Sequence, residues 1–499
     1  MSGARRLVLA LDQSTQGTKA LLFDQEGKVV SSTSLPHRQY VNDQGWVEHD
    51  PEEILANVCS CVRTAVADAH ASESEIVAFG ISNQRETCVA WDRMTRKPLC
   101  RAIVWQCGRA AALCEELKRT HPDAEELVQE RSGLALSPYF SAAKMSWMLQ
   151  NIPAVQKAAE AGTLCFGTID SWLAFSLCEG HPFVTEPSNA SRTQLLNLKS
   201  ATWDPELLNL FGIDASFLPE VLPSDARFGA STFDGRFEKA IPLTGILGDS
   251  QAALAAQDCF EAGSVKATYG TGSSVMMQIG AEPKASTHGL VTSIAWNIDG
   301  KTSYVLEGNL NYTGAVISWL KDNVGLISDP SEVEPLIARA NPRDRAYFVP
   351  AFTGLGAPWW DTEATGMLTG ITRTTGKAEI VKACAECIPY QIADVLDALR
   401  ADSGLDLKVL QADGGVTKNF YLMQFQADIA GAAVHVSQLR ELSAAGAAFV
   451  AGHAAGLYPT NLIHEATGRT VFEPKMAEAL RQEKRDGWQD ALAQVHAHA

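Results

Sequence analysis

The sequence predicts an α/β protein of two related halves, and three observations carry that prediction. Apolar strand-like runs alternate with helical patterns along most of the chain, the alternation that builds layered α/β domains. A hydroxyl-rich hairpin pattern near the N-terminus returns about half the chain later. At 499 residues the chain exceeds one typical core and suits two domains of roughly 250 residues, expected at 1–247 and 248–499.

The first hairpin runs Leu7-Val-Leu-Ala-Leu-Asp12-Gln-Ser-Thr15-Gln16-Gly17-Thr18-Lys19-Ala-Leu-Leu-Phe23. Two apolar runs, Leu7 to Leu11 and Ala20 to Phe23, flank a turn holding one carboxylate, three hydroxyls, one glycine and one lysine. Backbone N–H groups and hydroxyls in such a turn suit phosphate oxygens, and a strand-end carboxylate such as Asp12 suits a hydrated Mg²⁺. An ordinary surface hairpin uses the same residue types, so the turn alone leaves both readings open.

Beyond Glu26-Gly27-Lys28, the run Val29 to Leu35 reads as a third strand. Asp50 and Pro51 then fit the N-cap and first position of a helix reaching about Ala71. The strand Ile76 to Ile81 ends in Ser82-Asn83-Gln84-Arg85-Glu86-Thr87. Arg85 and Glu86 are either a surface ion pair or a hydrogen-bonding pair for substrate hydroxyls at a strand's carboxyl end. Ala102 to Arg109 reads as a strand entering a helix, with Trp105 either in the core or, beside Tyr139, on the wall of a small pocket. Leu164 to Ser176 reads as strand, Asp170-Ser171 cap and helix.

The strand Leu243 to Leu247 breaks at Gly248-Asp249-Ser250-Gln251 into an alanine-rich helix, which makes Asp249 either a helix cap or a catalytic acid. The second hairpin, Gly263 to Gly280, carries Thr268, Thr271, Ser273 and Ser274. A strand at Ser303 to Leu306, a helix at Tyr312 to Asp322, a glycine- and aromatic-rich loop at Tyr347 to Asp361 and a long helix at Glu379 to Asp402 follow. Leu407 to Ala412 is a strand ending in Asp413-Gly414-Gly415-Val-Thr-Lys-Asn419. Its glycines suit either a nucleotide base and ribose laid against the backbone or a plain turn into the next helix.

A formal net charge of −17 argues against a nucleic-acid backbone or an anionic membrane as the main partner. The initial apolar run is shorter than a signal-peptide core and no stretch of eighteen apolar residues occurs, so a cytoplasmic protein without membrane insertion is expected. Eleven cysteines without a regular framework fit reduced thiols, with no structural disulfide. Cys384-x-x-Cys387 falls inside a helical pattern and reads as a buried structural pair rather than a redox or zinc site.

Several segments together resemble the FGGY family of carbohydrate kinases, nearly end to end. They are Gly45-Trp-Val-Glu-His-Asp-Pro51, Asn83-Gln-Arg-Glu-Thr87, Ile103-Val-Trp-Gln-Cys107, Val349-Pro-Ala-Phe-Thr-Gly-Leu-Gly-Ala-Pro358 and Leu422-Met-Gln-Phe-Gln426. Tyr139-x-Ser141-x-x-Lys144-x-x-Trp147 also fits the family's first signature. The resemblance implies two ribonuclease H-like lobes of the actin and sugar-kinase superfamily, ATP and Mg²⁺ in the cleft between them, a polyol deeper in the cleft, and a homo-oligomer, dimer or tetramer. It gives Asp249 the role of general base. Arg85, Glu86, Trp105, Tyr139 and Ser250 fall at substrate positions, and Asp12, with Asp249, near the metal, through water. Thr15, Gln16, Gly17, Lys19, Thr271, Gly314, Ser318, Gly415 and Asn419 fall at nucleotide positions.

The acceptor implied first is glycerol, phosphorylated on a terminal hydroxyl. The chain departs from the glycerol-phosphorylating members at Ser250, where they carry a glutamine, and at Ser274, where an aromatic packs on their acceptor. It departs again at Ser318, for a nucleotide-side glutamine, and at Gln16 to Lys19, for hydroxyl residues and an arginine. Because Ser250 and Ser274 leave a larger and more polar wall, erythritol, another tetritol or a ketose such as xylulose is the alternative acceptor. An actin- or chaperone-like ATPase is the alternative of another class, but it leaves Arg85, Glu86 and Asp249 without a task. A dinucleotide dehydrogenase is disfavoured because no Gly-x-Gly-x-x-Gly follows the first strand.

Overall fold

The computed structural model describes residues 5–459 and 468–496. Strands β1 (Leu7–Gln13), β2 (Gly17–Phe23) and β3 (Val29–Pro36) form an antiparallel meander. Every residue of β1 is buried, as its unbroken apolar run demands of a central strand, whereas β3 alternates between exposed and half-buried positions. Helix α1 (Pro51–Asp68) packs on β2 and β3. It begins where Asp50 accepts the N–H groups of Glu52 at 2.9 Å and Glu53 at 3.5 Å, with Pro51 preset for the first turn.

β4 (Ile76–Asn83) lies parallel to β1, β5 (Gly229–Ser231) forms the far edge, and β6 (Ile241–Gly248) lies parallel to β4. The order of this sheet is β5-β6-β4-β1-β2-β3. Two short segments differ from the sequence reading. The strand expected at Ala102 is only Ala102–Ile103, because the chain turns at Trp105 and the helix starts at Ala111. Asp170 is not a cap: the helix Ile169–Leu177 starts after Thr168, and the Asp170 carboxylate inside its first turn accepts the hydroxyls of Thr168 and Thr185.

The second half opens with α2 (Asp249–Ala256), then β7 (Val265–Tyr269), β8 (Ser273–Gly280), β9 (Val291–Ile298) and β10 (Lys301–Leu310). There follow α3 (Gly314–Asp322), α4 (Lys377–Ser403), β11 (Leu410–Asp413) and α5 (Phe420–Ala430). β12 (Val434–Ser437), α6 (Leu442–Ala454), β13 (Arg469–Phe472) and α7 (Glu478–His496) complete the described chain. The second sheet has the order β9-β10-β8-β7-β11-β12-β13. In both sheets a three-stranded meander continues into two parallel strands and one antiparallel edge, so β3-β2-β1-β4-β6-β5 corresponds to β10-β8-β7-β11-β12-β13. β9 is additional, and the edge strand precedes its neighbour in the first half but follows it in the second.

Helix α6 belongs to the second half in sequence but packs across β6, β4 and β1 and against α2. The approach is close enough to require glycine: a Cβ at Gly446 would lie 1.9 Å from the Ala252 carbonyl oxygen, and one at Gly80 would lie 2.3 Å from that of Ala447. A shared apolar cluster joins the halves here, running from Val8 and Phe23 through Leu254 and Val450 to Met276 and Trp296. The cleft opens beside this joint, at the carboxyl ends of the parallel strands, where ligands of open α/β sheets gather.

Candidate active site between the two lobes

The cleft has a volume of about 1060 Å³ and is lined from both halves of the chain. The two hairpin turns face it, Asp12 to Lys19 from the first sheet and Thr268 to Ser274 from the second. β4 delivers Arg85 and Glu86 past its carboxyl end, β6 delivers Asp249 past its own, and β11 ends at Asp413.

Asp249 is the first residue of α2, and Gly248, not Asp249, occupies the cap position. Its Oδ1 accepts the Ser250 N–H at 2.7 Å and lies 3.5 Å from Arg85 Nε. The side chain keeps 36% of its surface open to the cleft, so an incoming hydroxyl can reach it. Desolvation by the surrounding walls pushes the carboxyl pKa upward. Arg85 and Lys266 draw it down, and Glu86 adds to the rise.

Around this carboxylate the cleft is lined by aromatic and charged side chains. Trp105 and Tyr139 meet edge to face with ring centroids 5.5 Å apart, forming an apolar wall beside Arg85 and Glu86. The Trp105 indole N–H is tied to Thr15 Oγ1 at 2.9 Å, which joins this wall to the first hairpin turn. Glu86 holds a left-handed backbone, φ 62°, and its carboxylate accepts Arg192 Nε at 2.5 Å. Both acid and arginine of the expected pair are buried, so the surface ion-pair reading fails.

The two hairpin turns bring hydroxyls and lysines to the cleft. Burial pushes Asp12 up to about 6, Lys19 and a 3.1 Å hydrogen bond from Ser82 partly opposing it. Lys19 Nζ meets Glu441 Oε2 at 2.5 Å. Lys266 is 1% exposed, donates to Thr268 Oγ1 at 2.9 Å, and is held below the usual ammonium range by burial. Asp413 accepts Gln257 Nε2 at 2.6 Å and Thr268 Oγ1 at 3.1 Å. Gly414, at φ 100°, leaves no room for a Cβ, which would stand 2.3 Å from the Tyr269 carbonyl oxygen.

Of the residues expected from sequence, Asp12, Thr15, Gln16, Lys19, Arg85, Glu86, Trp105, Tyr139, Asp249, Ser250, Thr271 and Gly415 line this one cleft. Four others are not on its wall. Gly17 and Gly314 shape the hairpins instead, a Cβ at the first lying 2.6 Å from Leu35 O and at the second 2.4 Å from Gly270 O. Ser318 is exposed on α3, and the Asn419 side chain caps α5 by accepting the Leu422 N–H at 3.0 Å. Sequence reading missed Lys266, Glu307, Arg192 and Glu441. A charged residue inside an otherwise apolar strand, as in Val265-Lys266-Ala267 and Val305-Leu306-Glu307, was the available signal.

Models of the N-terminal and C-terminal domains of the FGGY family of carbohydrate kinases match residues 7–256 and 265–455. The chain belongs to the FGGY family of carbohydrate kinases. This FGGY kinase is 43% identical over 490 residues to glycerol kinase 1 of Thermotoga maritima, covering 98% of the chain and 99% of that protein. It is 45% identical over 494 residues to the glycerol kinase of Shewanella piezotolerans, covering 99% and 100%. Among solved structures, Plasmodium falciparum glycerol kinase with ADP superposes at a TM-score of 0.93, with 35% identity and 98% of each chain covered. Xylulose kinase of Lactobacillus acidophilus, at 22% identity, shares the fold of this FGGY kinase at a TM-score of 0.88 over 99% of each chain. The family and the two-lobed fold expected from the motifs are those found.

Proposed function

We propose that the protein is an ATP-dependent polyol kinase that phosphorylates a terminal hydroxyl of glycerol, with Asp249 as proton acceptor. The supporting observation is the Asp249 carboxylate, open to the cleft and flanked by the Arg85 guanidinium, in one cleft with an aromatic wall and two hydroxyl-rich turns. The relatives named glycerol kinase, matched over almost the whole chain, support the choice of acceptor.

Arg85 and Glu86 bind the acceptor hydroxyls while Trp105 and Tyr139 cover its carbons, which fixes one terminal oxygen beside Asp249. As that oxygen attacks the terminal phosphorus, its proton passes to Asp249 Oδ, and the bond to the leaving ADP oxygen breaks. Lys19 and the N–H groups of both turns hold the phosphates. Among the described residues no three His, Cys, Asp or Glu side chains gather into a metal cage. Asp12 and Asp249 would hold a hydrated Mg²⁺ through water, and the bound ion would supply charge neutralisation at the phosphates.

A second acceptor class has a specific observation behind it. Ser250, Asn309 and Asn311 give the cleft further hydroxyl and amide groups, and these match the extra hydroxyls of a tetritol or ketose. The test is ADP release from ATP with glycerol, erythritol and xylulose in parallel. Turnover on glycerol with the highest kcat/KM is expected. Turnover on erythritol alone replaces the acceptor but keeps the kinase, and ADP release indifferent to all three contradicts the proposal.

A further inference from the structure

Glu307 stands in β10, a strand of the second sheet, but its carboxylate is engaged by residues of the first half. Arg85 reaches it with both terminal nitrogens, Nη2 to Oε1 at 2.9 Å and Nη1 to Oε2 at 3.1 Å. Arg192 Nη1 lies 3.0 Å from Oε2, and Ser274 Oγ donates to Oε1 at 2.8 Å. The side chains of Glu307 and Arg192 are wholly buried, and that of Arg85 is 5% exposed. Arg85 and Arg192 hold the Glu307 carboxyl far below the usual range in spite of this burial.

Fork-on-fork pairing fixes the plane of a guanidinium as well as its place. With Nη1 and Nη2 turned to Glu307, the Nε–H edge of Arg85 is left for the cleft, 3.5 Å from Asp249 Oδ1 and 4.0 Å from Glu86 Oε1. Glu307 itself is not part of the cleft wall. Without a carboxylate at 307, the nearest acids able to take the Arg85 fork are Asp249 and Glu86, and a fork closed on Asp249 blocks the oxygen that receives the proton.

We propose that Glu307 is a positioning residue: reaching across from the second lobe, it turns the Arg85 guanidinium so that its Nε edge faces Asp249 and the acceptor, while Ser274 holds Glu307 in that register. The inference rests on the polyol-kinase reading of the cleft. The direct partners of Glu307 are Arg85, Arg192 and Ser274, so its effect is expected on the acceptor side, through Arg85. It also assigns the Ser274 hydroxyl to the protein rather than to the substrate.

The experiment is steady-state kinetics of the full chain with glycerol and ATP, for the parent, Glu307→Gln, Glu307→Asp and Ser274→Ala, with folding followed by thermal melting. Glu307→Gln should lower kcat/KM for glycerol about 100-fold while the KM for ATP stays within about twofold. Glu307→Asp, which keeps the charge, should recover about tenfold of that loss, and Ser274→Ala should lose about threefold in the same constant. An unchanged glycerol constant in folded Glu307→Gln overturns the proposal, as does an ATP KM that rises in step with that of glycerol. Removing one partner of a buried ion network destabilises strongly, so if Glu307→Gln does not fold, Ser274→Ala decides, and an unaltered glycerol constant overturns the proposal. A parent enzyme inert toward every polyol defeats the underlying reading, whereas an active parent beside an unaffected variant defeats only the role of Glu307.

Discussion

Lys19 closes the first hairpin turn with its ammonium on Glu441, so the lysine proposed for the phosphates is already held by a carboxylate from the other half of the chain. A flexible ammonium serves phosphate as a point charge, and its removal weakens nucleotide binding without touching the acceptor pocket. Lys19→Met should therefore raise the KM for ATP about tenfold and leave that of glycerol within about twofold, as initial-rate kinetics would show. Equal effects on both constants would contradict the division of the cleft. Asp394 belongs to no site but carries a pH dependence. Buried on α4, it accepts Trp488 Nε1 at 2.6 Å and Gln489 Nε2 at 2.8 Å from α7, and burial pushes it up to about 7. Its folded pKa exceeds its unfolded value of 3.8, so its contribution to stability is whole below pH 3.8 and is lost as pH rises through about 7. The melting temperature of the parent, relative to Asp394→Asn, should fall between about pH 4.5 and pH 8, and a constant difference would contradict this reading.

At the scale of elements, α6 carries the joint between the halves, and its contact with α2 leaves no space for a side chain at position 446. Gly446→Val should force α6 away from Ala252, lower the melting temperature by several degrees (about 1–3 kcal/mol for overpacking), and reduce activity through Asp249, whose carbonyl oxygen accepts Ser443 Oγ at 3.1 Å. A melting curve indistinguishable from the parent's would contradict so tight a contact. What the sequence made legible follows the same scale. The hairpin Leu7 to Phe23, the capped start at Asp50-Pro51 and the turn at Gly248-Asp249 declare themselves locally, through apolar runs, cap chemistry and glycine. The partnership of α6 with the first sheet is set by contacts far apart in sequence, and no local pattern encodes it. Glu307 and Lys266 escaped notice for a related reason: a strand pattern shows that a charge is buried, but only the assembled sheets show which opposite charges meet it. Gly17, Gly314 and Asn419 are expected at nucleotide positions by family likeness, while their immediate physical tasks are to fit β2 against β3, to let α3 start against the Gly270 carbonyl, and to cap α5.

For the whole molecule, duplication of one sheet plan brings two hydroxyl-rich turns and Asp249 to one cleft at the joint of the halves. Such a cleft keeps water from competing for the phosphoryl group only when the polyol fills its deeper end. The most direct test of this account is the rate of ADP release with saturating glycerol for Asp249→Asn against the parent, with nucleotide affinity measured on the same preparations. Asp249→Asn should lower kcat roughly 10²–10⁴-fold at unchanged nucleotide affinity. A folded Asp249→Asn enzyme that turns over at the parent's rate would contradict it.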